Sequence, residues 1–463
     1  MLLPRPEPPP RVIEAANKVQ GTAWRINRAV LDELDAPKRV VRREHVLNGQ
    51  VICEARELAK LERFYFPVHL DFRGRLYQDG GVLTYTGSGD YARGLLEFAD
   101  GEFVDANGIK WLAWHMAQMW GGKDYLPLGD GSRWLRKAPA LVRRWREAKH
   151  PVQFLAAALA LVDASEGRPV HLPVRVDATC SGLQHLAMLS ADTDLAQLVN
   201  LWGDYHGDRR GMNWLEIEDP DLNFYNVVAN HTGFSRDEVK AVIVPMLYGA
   251  GEETSGADLA VQRGKRASGR QLRDARTIRT VAEEHAPRAF ALLRWFGKAA
   301  EVHNSADAPV RWTVPSGFEV IQDYRYVEKN PTRKDRQVQI KVNGRRVSLV
   351  KRFYTSLLNK PQQAISLPSS LVHSLDAALL AEIVAGSRIE QWGVAHDAFA
   401  VPANRAWELL DLDNQRAMAD VYGPDRLAEW VEEWRAAAVD VPDAPGERGP
   451  LPKEMLGGLR TLG

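Results

Sequence analysis

Two apolar runs far apart in the chain each end on an aspartate: Val174-Arg175-Val176-Asp177 and Val394-Ala395-His396-Asp397. Between them stand Arg236, Lys240, Tyr248 and Gly249. Carboxylates at strand ends suit Mg²⁺, which takes oxygen ligands and commonly only one or two carboxylates, with substrate phosphates and water completing its shell. Two such ions about 3.5–4 Å apart deprotonate a hydroxyl and neutralise a departing pyrophosphate. If Arg236 to Tyr248 is helical, residues four apart form one slowly drifting stripe, roughly 18 Å long at 1.5 Å per residue. Cations at its start clamp phosphates, and the tyrosine, beside helix-ending Gly249, meets base and sugar. Taken singly, each aspartate reads more readily as a turn residue, and the helix as a solvated face. In this order the three read as one site for nucleotidyl transfer.

The aspartates need strands that end at them. Val174 to Val176 reads as a buried strand, and Gln391 to Val401 as strand, turn, strand, with His396 orienting the turn. Upstream, Val12, Ala15, Ala16, Val19, Ala23, Ile26, Val30 and Leu34 recur at helical spacing and predict one amphipathic helix from Val12 to Leu34. A second helix is expected to end near Arg63, and Phe64 to Leu70 to form a strand. Helices are expected over Gly108 to Met119, Ala138 to Val162 and about Ser369 to Val384. Asp204 to Asn223 reads as an irregular connection. Helix resumes near Tyr225 and again at Ser235, with a kink from Pro245 just before Tyr248.

One stretch is strongly basic. From Arg325 to Lys360, Lys and Arg crowd together against only Glu328 and Asp335. Within it Val338, Ile340 and Val342 alternate with polar residues up to Asn343-Gly344, and Val347 and Leu349 alternate after it. That is the pattern of a hairpin closed by a type I′ turn, projecting cations from both strands.

Over 463 residues, Lys plus Arg (60) equals Asp plus Glu (60), so global charge says nothing for a nucleic-acid partner and local patches must carry that case. The length suggests several lobes. The two cysteines, Cys53 and Cys180, lack metal-ligand spacing, which implies a reducing compartment and no zinc. The apolar run Phe154 to Val162 falls short of the roughly 20 residues a membrane span needs, and Met1-Leu2-Leu3 leads into prolines. The expectation is a soluble, cytoplasmic protein of a bacterial or phage-infected cell, an organelle being the alternative, with no membrane partner. His69, His115 and His171 read as packing or surface residues.

The three motifs resemble motifs A, B and C of the superfamily that contains the family A DNA polymerases and the single-subunit DNA-dependent RNA polymerases of bacteriophages and mitochondria. The second group fits better. Asp177-Ala178-Thr179-Cys180-Ser181-Gly182-Leu183-Gln184-His185 is similar to its motif A, Asp71-Phe72-Arg73-Gly74-Arg75-Leu76-Tyr77 to its Asp-x-x-Gly-Arg element, and Val372-His373-Ser374-Leu375-Asp376 to the segment before motif C. Trp312 to Phe318 and Thr22 to Asn27 also resemble family segments.

The resemblance implies roles: Asp177 and Asp397 as ligands of two Mg²⁺, Arg236 and Lys240 as triphosphate ligands, Tyr248 and His373 as ribose readers, and Lys240 as acid for the leaving group. Arg73 and Arg75 are expected on template or hybrid, and Arg345 and Arg346 on nucleic acid through the basic hairpin. DNA polymerases of the superfamily carry a glutamate five residues after the first aspartate; Gly182 at that position leaves room for a ribose. The implied fold is α+β, a right hand with residues 1–10 a disordered arm, 11–60 a much reduced thumb, 61–192 and 372–463 the palm around a small antiparallel sheet, and 193–371 helical fingers. A minimal form without the N-terminal promoter domain is expected, with a separate initiation factor as a partner beside DNA template, nascent RNA and ribonucleoside triphosphates. A family A-like or primer-making polymerase and an inactive nucleic-acid-binding remnant remain as alternatives.

Overall fold

Three short strands hold the middle of the protein. Val174–Asp177 pairs antiparallel with Ala398–Val401, which pairs antiparallel with Gly393–Ala395. The last two strands are buried at every position, so they read as unbroken apolar runs without alternation. The computed structural model describes residues 6–35, 44–86, 89–121, 132–178, 180–201, 223–328, 336–342, 345–351, 353–446, 451–452 and 455. Against this sheet and its flanking helices runs Lys360–Gly386, the central helix, packed by Pro10–Gly21, Ser181–Ser190, Pro287–Ser305 and Asn414–Tyr422. It is apolar and long enough to cross a membrane by composition and length, yet most of it is buried inside the protein. It starts nine residues before the expected Ser369, because the Asn359 side chain accepts the Gln362 N–H and Pro361 fits the first turn.

The helix expected from Val12 to Leu34 is broken in two, Pro10–Gly21 and Arg28–Asp35, by the strand Trp24–Ile26. That strand pairs with Leu96–Phe98, and Trp24 bridges Phe64. The reason is burial: Trp24 is fully enclosed, with the Phe66, Tyr85 and Phe98 rings within 6.0 Å. Enclosing an indole outweighs the helix propensity of three residues. Asn27 then restarts the helix by accepting the Val30 N–H. Prolines explain two further departures. Pro151 opens Pro151–Ser165 and separates it from Ser132–Val142, and Pro67, which lacks an N–H, confines the expected Phe64–Leu70 strand to Val68–Leu70. Of the proline-rich arm, Pro9 is extended and Pro10 already opens a helix, while residues 1–5 lie outside the described residues.

A helical lobe follows, Phe224–Thr232, Arg236–Leu247, Glu252–Gln262, Gly269–His285 and Pro287–Ser305, then small hairpins. The expected irregular connection, residues 204–223, falls outside the described residues except for Asn223. The basic hairpin forms, Arg336–Val342 against Arg345–Lys351 with Val342 opposite Arg345. Its turn, Asn343-Gly344, and the side chains of Arg345 and Arg346 lie outside the described residues. Helices with small antiparallel sheets make this an α+β fold.

Helix Asp90–Leu95 packs on Pro151–Ser165 through Gly94, where a Cβ would come within 2.7 Å of the Val152 carbonyl carbon. Gly94→Ala is expected to cost about 1–3 kcal/mol in denaturant unfolding. Gly21→Ala, with nothing within 4 Å, stays within about 0.5 kcal/mol of wild type. Equal stability of the two variants would mean that these helices do not meet at Gly94.

Candidate active site

Strand register brings the two aspartates together. Ala398 lies opposite Asp177, so Asp397, one residue earlier, sits beside the end of the neighbouring strand, and its carbonyl accepts the Ala178 N–H at 3.2 Å. The turn that carries Asp397 is made by His396 in the left-handed region, φ 61°, with Tyr77 edge-on to its ring at 5.1 Å. Asp177 is half exposed and accepts from Arg175 at 2.9 Å. Asp397 is mostly buried; burial, then the nearby charges of Asp376 and Asp177, pushes its carboxyl up to about 6 in spite of a hydrogen bond from Ser181. Among the described residues no cation pairs with Asp397. Two neighbouring carboxylates, one of them mostly buried without a cation partner, fit a hard divalent cation; among the described residues no third acidic, His or Cys ligand joins them.

The helix Arg236–Leu247 is fixed at both ends. At its start Ser235 and Glu238 form a reciprocal capping box. There Arg236 and Lys240 both lie over the ring of Tyr225, 5.6 and 6.0 Å from its centroid. A buried aromatic face thus supports both cations from one side. The Tyr225 hydroxyl is kept protonated by burial and also feels Tyr248 and Asp397, so it belongs to the same site. Sequence reasoning missed it, since nothing in its spacing singles it out.

Pro245 does not kink the helix before Tyr248 so much as help to end it there. Ala250 N–H reaches back to the Pro245 carbonyl and Gly249 N–H to that of Met246, with Gly249 at φ 84°. This is a Schellman ending, for which glycine is needed in the left-handed position. A Cβ on Gly249 would also strike the Ile365 carbonyl of the central helix, at 2.5 Å. Tyr248, the cap residue, is thereby pressed against His373, ring centroids 4.8 Å apart. Burial pushes its hydroxyl up to about 12. Gly182 lies beneath this pair: a Cβ there would be 3.2 Å from Leu247 and 4.0 Å from Val372, each the neighbour of one of the two rings.

Behind the rings is a buried polar cluster. Asp376, enclosed in the central helix, accepts from Arg75 Nη2 at 2.5 Å and from His185 Nε2 at 2.7 Å, while His185 Nδ1 meets the Tyr422 hydroxyl. Burial alone would raise the Asp376 carboxyl, but His185 and Arg75 outweigh it and hold the group well below the usual carboxylate range. Arg75, expected on the template, is 11% exposed and donates to Asp376 instead. Arg73 likewise turns inward, bound to Asp71 and to His373 Nδ1. The turn from Asp71 to Arg75 folds over the central helix and meets His373 and Asp376 there. Asp376, His185 and Tyr422 were not singled out as site residues, because their partnership exists only in three dimensions.

A family model described as DNA-dependent RNA polymerase matches residues 102–210 and 263–438, more than half of the chain, and takes in Asp177, Gly182, His373 and Asp397. The chain belongs to this family. It is 28% identical over 454 residues to DNA-directed RNA polymerase 2, chloroplastic/mitochondrial, of Arabidopsis thaliana, covering 87% of this chain and 42% of that protein. Against DNA-directed RNA polymerase 1, mitochondrial, of the same plant, identity is 26% with 96% and 48% covered. Against DNA-directed RNA polymerase 3, chloroplastic, of Nicotiana sylvestris it is 27% with 84% and 47% covered. The chain therefore spans less than half the length of these polymerases. Their chloroplast and mitochondrial names overturn the expectation of a cytoplasmic, bacterial or phage setting.

In this polymerase-family chain, Asp376→Ala would leave a buried guanidinium without its carboxylate, at a cost of about 3–5 kcal/mol in urea unfolding at neutral pH. Because the carboxyl is depressed in the folded state, its stabilisation is present above the unfolded-chain pKa of about 3.9 and is lost as pH falls through the folded value. The gap between wild type and variant should accordingly narrow once the pH drops below about 4. A loss under about 1 kcal/mol at pH 7 would mean that Arg75 and Asp376 behave as a solvated pair.

Proposed function

We propose that this chain performs DNA-templated synthesis of RNA from ribonucleoside triphosphates. The observation that carries the reading is the convergence of strand-end Asp177 and Asp397 with the aromatic-backed cations Arg236 and Lys240 and the Tyr248–His373 pair. In the right-hand layout this implies, residues 61–192 and 372–463 are the palm, 193–371 the fingers and 11–60 a reduced thumb. The relatives' names point to an organelle as the setting.

Asp177 and Asp397 would hold two Mg²⁺, which when bound supply activation of the primer 3′-hydroxyl and charge neutralisation at the leaving pyrophosphate. Arg236 and Lys240 grip the triphosphate, oriented by the Tyr225 face beneath them, and Lys240 gives a proton to the leaving group. Tyr248 keeps its hydroxyl hydrogen at neutral pH, and burial together with Arg75 pushes His373 down to about 3, so both face the sugar as neutral groups. A ribose satisfies them, while a deoxyribose leaves them unpaired at a cost of about 1–3 kcal/mol. The Arg336–Lys351 hairpin contributes phosphate contacts that position nucleic acid without reading its sequence.

Extension of a primed RNA–DNA scaffold with labelled NTPs or dNTPs and Mg²⁺ tests the reading. Asp177→Asn and Asp397→Asn are expected to abolish addition and to leave scaffold affinity within a few-fold. Extension by either above about a tenth of the wild-type rate removes that residue from the metal site. Tyr248→Phe should raise dNTP use with little loss of rNTP rate, and an unchanged ratio of kcat/KM would assign sugar choice elsewhere. Preference of the wild type for dNTPs would instead favour a DNA polymerase.

A further inference from the structure

Which ring nitrogen of His373 carries the hydrogen decides what it offers a sugar. Arg73 Nη1 lies 2.7 Å from His373 Nδ1. A guanidinium has only donors and stays charged, so Nδ1 must accept, and in the neutral ring the hydrogen resides on Nε2. Arg73 has no freedom to withdraw. Its Nε and Nη2 donate to Asp71 Oδ2 at 2.9 and 2.7 Å, and its guanidinium carbon lies 5.1 Å over the Phe72 ring. The other oxygen of Asp71 accepts the backbone N–H of Arg73 and Arg75, at 2.8 and 3.1 Å, which fixes the turn itself. Every nitrogen of the Arg73 side chain is thus committed, one of them to His373.

We propose that Arg73 is a positioning residue for sugar selection: by occupying His373 Nδ1 it locks the Nε2–H tautomer, so that the histidine always presents a donor to the nucleotide. This rests on the reading of His373 as a ribose contact. The lock matters because a free imidazole relieves an unmet donor by moving its hydrogen to the other nitrogen. Held by Arg73, it has no such escape, and a nucleotide without a 2′-oxygen leaves the donor unpaired. The fork geometry is essential: lysine supplies the charge but no planar set of donors that meets Asp71 and His373 together.

The test has two readouts on the full chain. Nitrogen-15 NMR of labelled histidine reports the His373 tautomer, with His373→Gln assigning the signal, and primer extension reports the rNTP/dNTP ratio of kcat/KM. Wild type should show the Nε2–H form. Arg73→Ala should mix tautomers and lower discrimination about tenfold, with Arg73→Lys showing the same direction. Asp71→Asn, which keeps an oxygen for the turn but weakens the fork, provides a second variant should Arg73→Ala unfold, and should shift both readouts together. An Nδ1–H form in wild type, or unchanged tautomer and ratio in folded Arg73→Ala or Asp71→Asn, overturns the proposal. Failure of the wild type to extend any primer removes the sugar role and the polymerase reading with it, while the NMR result still decides the Arg73–His373 lock.

Discussion

Everything at this site depends on the register of one strand pair. Val174–Asp177 and Ala398–Val401 come from distant parts of the chain, and only because Ala398 faces Asp177 do the two carboxylates lie side by side. A slip of one residue would send alternate side chains to opposite faces of the sheet. The register is fixed by burial of one face, since Val174, Val176, Phe399 and Val401, which lie opposite one another, are all enclosed, and none tolerates exchange with a solvent-facing neighbour without loss of apolar contact. The left-handed turn at His396 then delivers Asp397 to the end of its strand.

The central helix Lys360–Gly386 adds a second constraint. His373 and Asp376 are three residues apart on it and therefore share a face. The first meets Tyr248, the second lies in the core with Arg75 and His185. The turn from Asp71 to Arg75 reaches both, Arg73 to the histidine and Arg75 to the aspartate. A buried charge arranged in this way is costly in any arrangement but the one that pairs it. What appears in sequence as two basic residues two apart is, in the folded chain, a brace between a turn and a helix.

Much of this is legible in the sequence itself. The strand-end aspartates, the hairpin pattern, the helix with Arg236 and Lys240, and its end at Gly249 all follow from local chemistry that survives folding. What failed was whatever depends on distant partners. Period alone extended a helix through Trp24, whose burial against Phe98 and Tyr85 no local rule reports. Nothing local to Arg75 announces its pairing with Asp376, a carboxylate that lies far along the chain. Tyr225 carries no signal of its own, since its role comes from the two cations resting on it. The side chains of Arg345 and Arg346 lie outside the described residues.

The close approach of Gly249 to the Ile365 carbonyl ties the end of the helix Arg236–Leu247 to the central helix, backbone against backbone, with no space for a Cβ between them. Tyr248 sits at that contact, whereas Arg236 lies a full helix length away, about 18 Å at the usual rise. At the far end the hold is of another kind, long side chains resting on the Tyr225 ring. The tyrosine's place is thus set by main chain, which has one fit, and the cations' place by side chains, which have rotamers to spend.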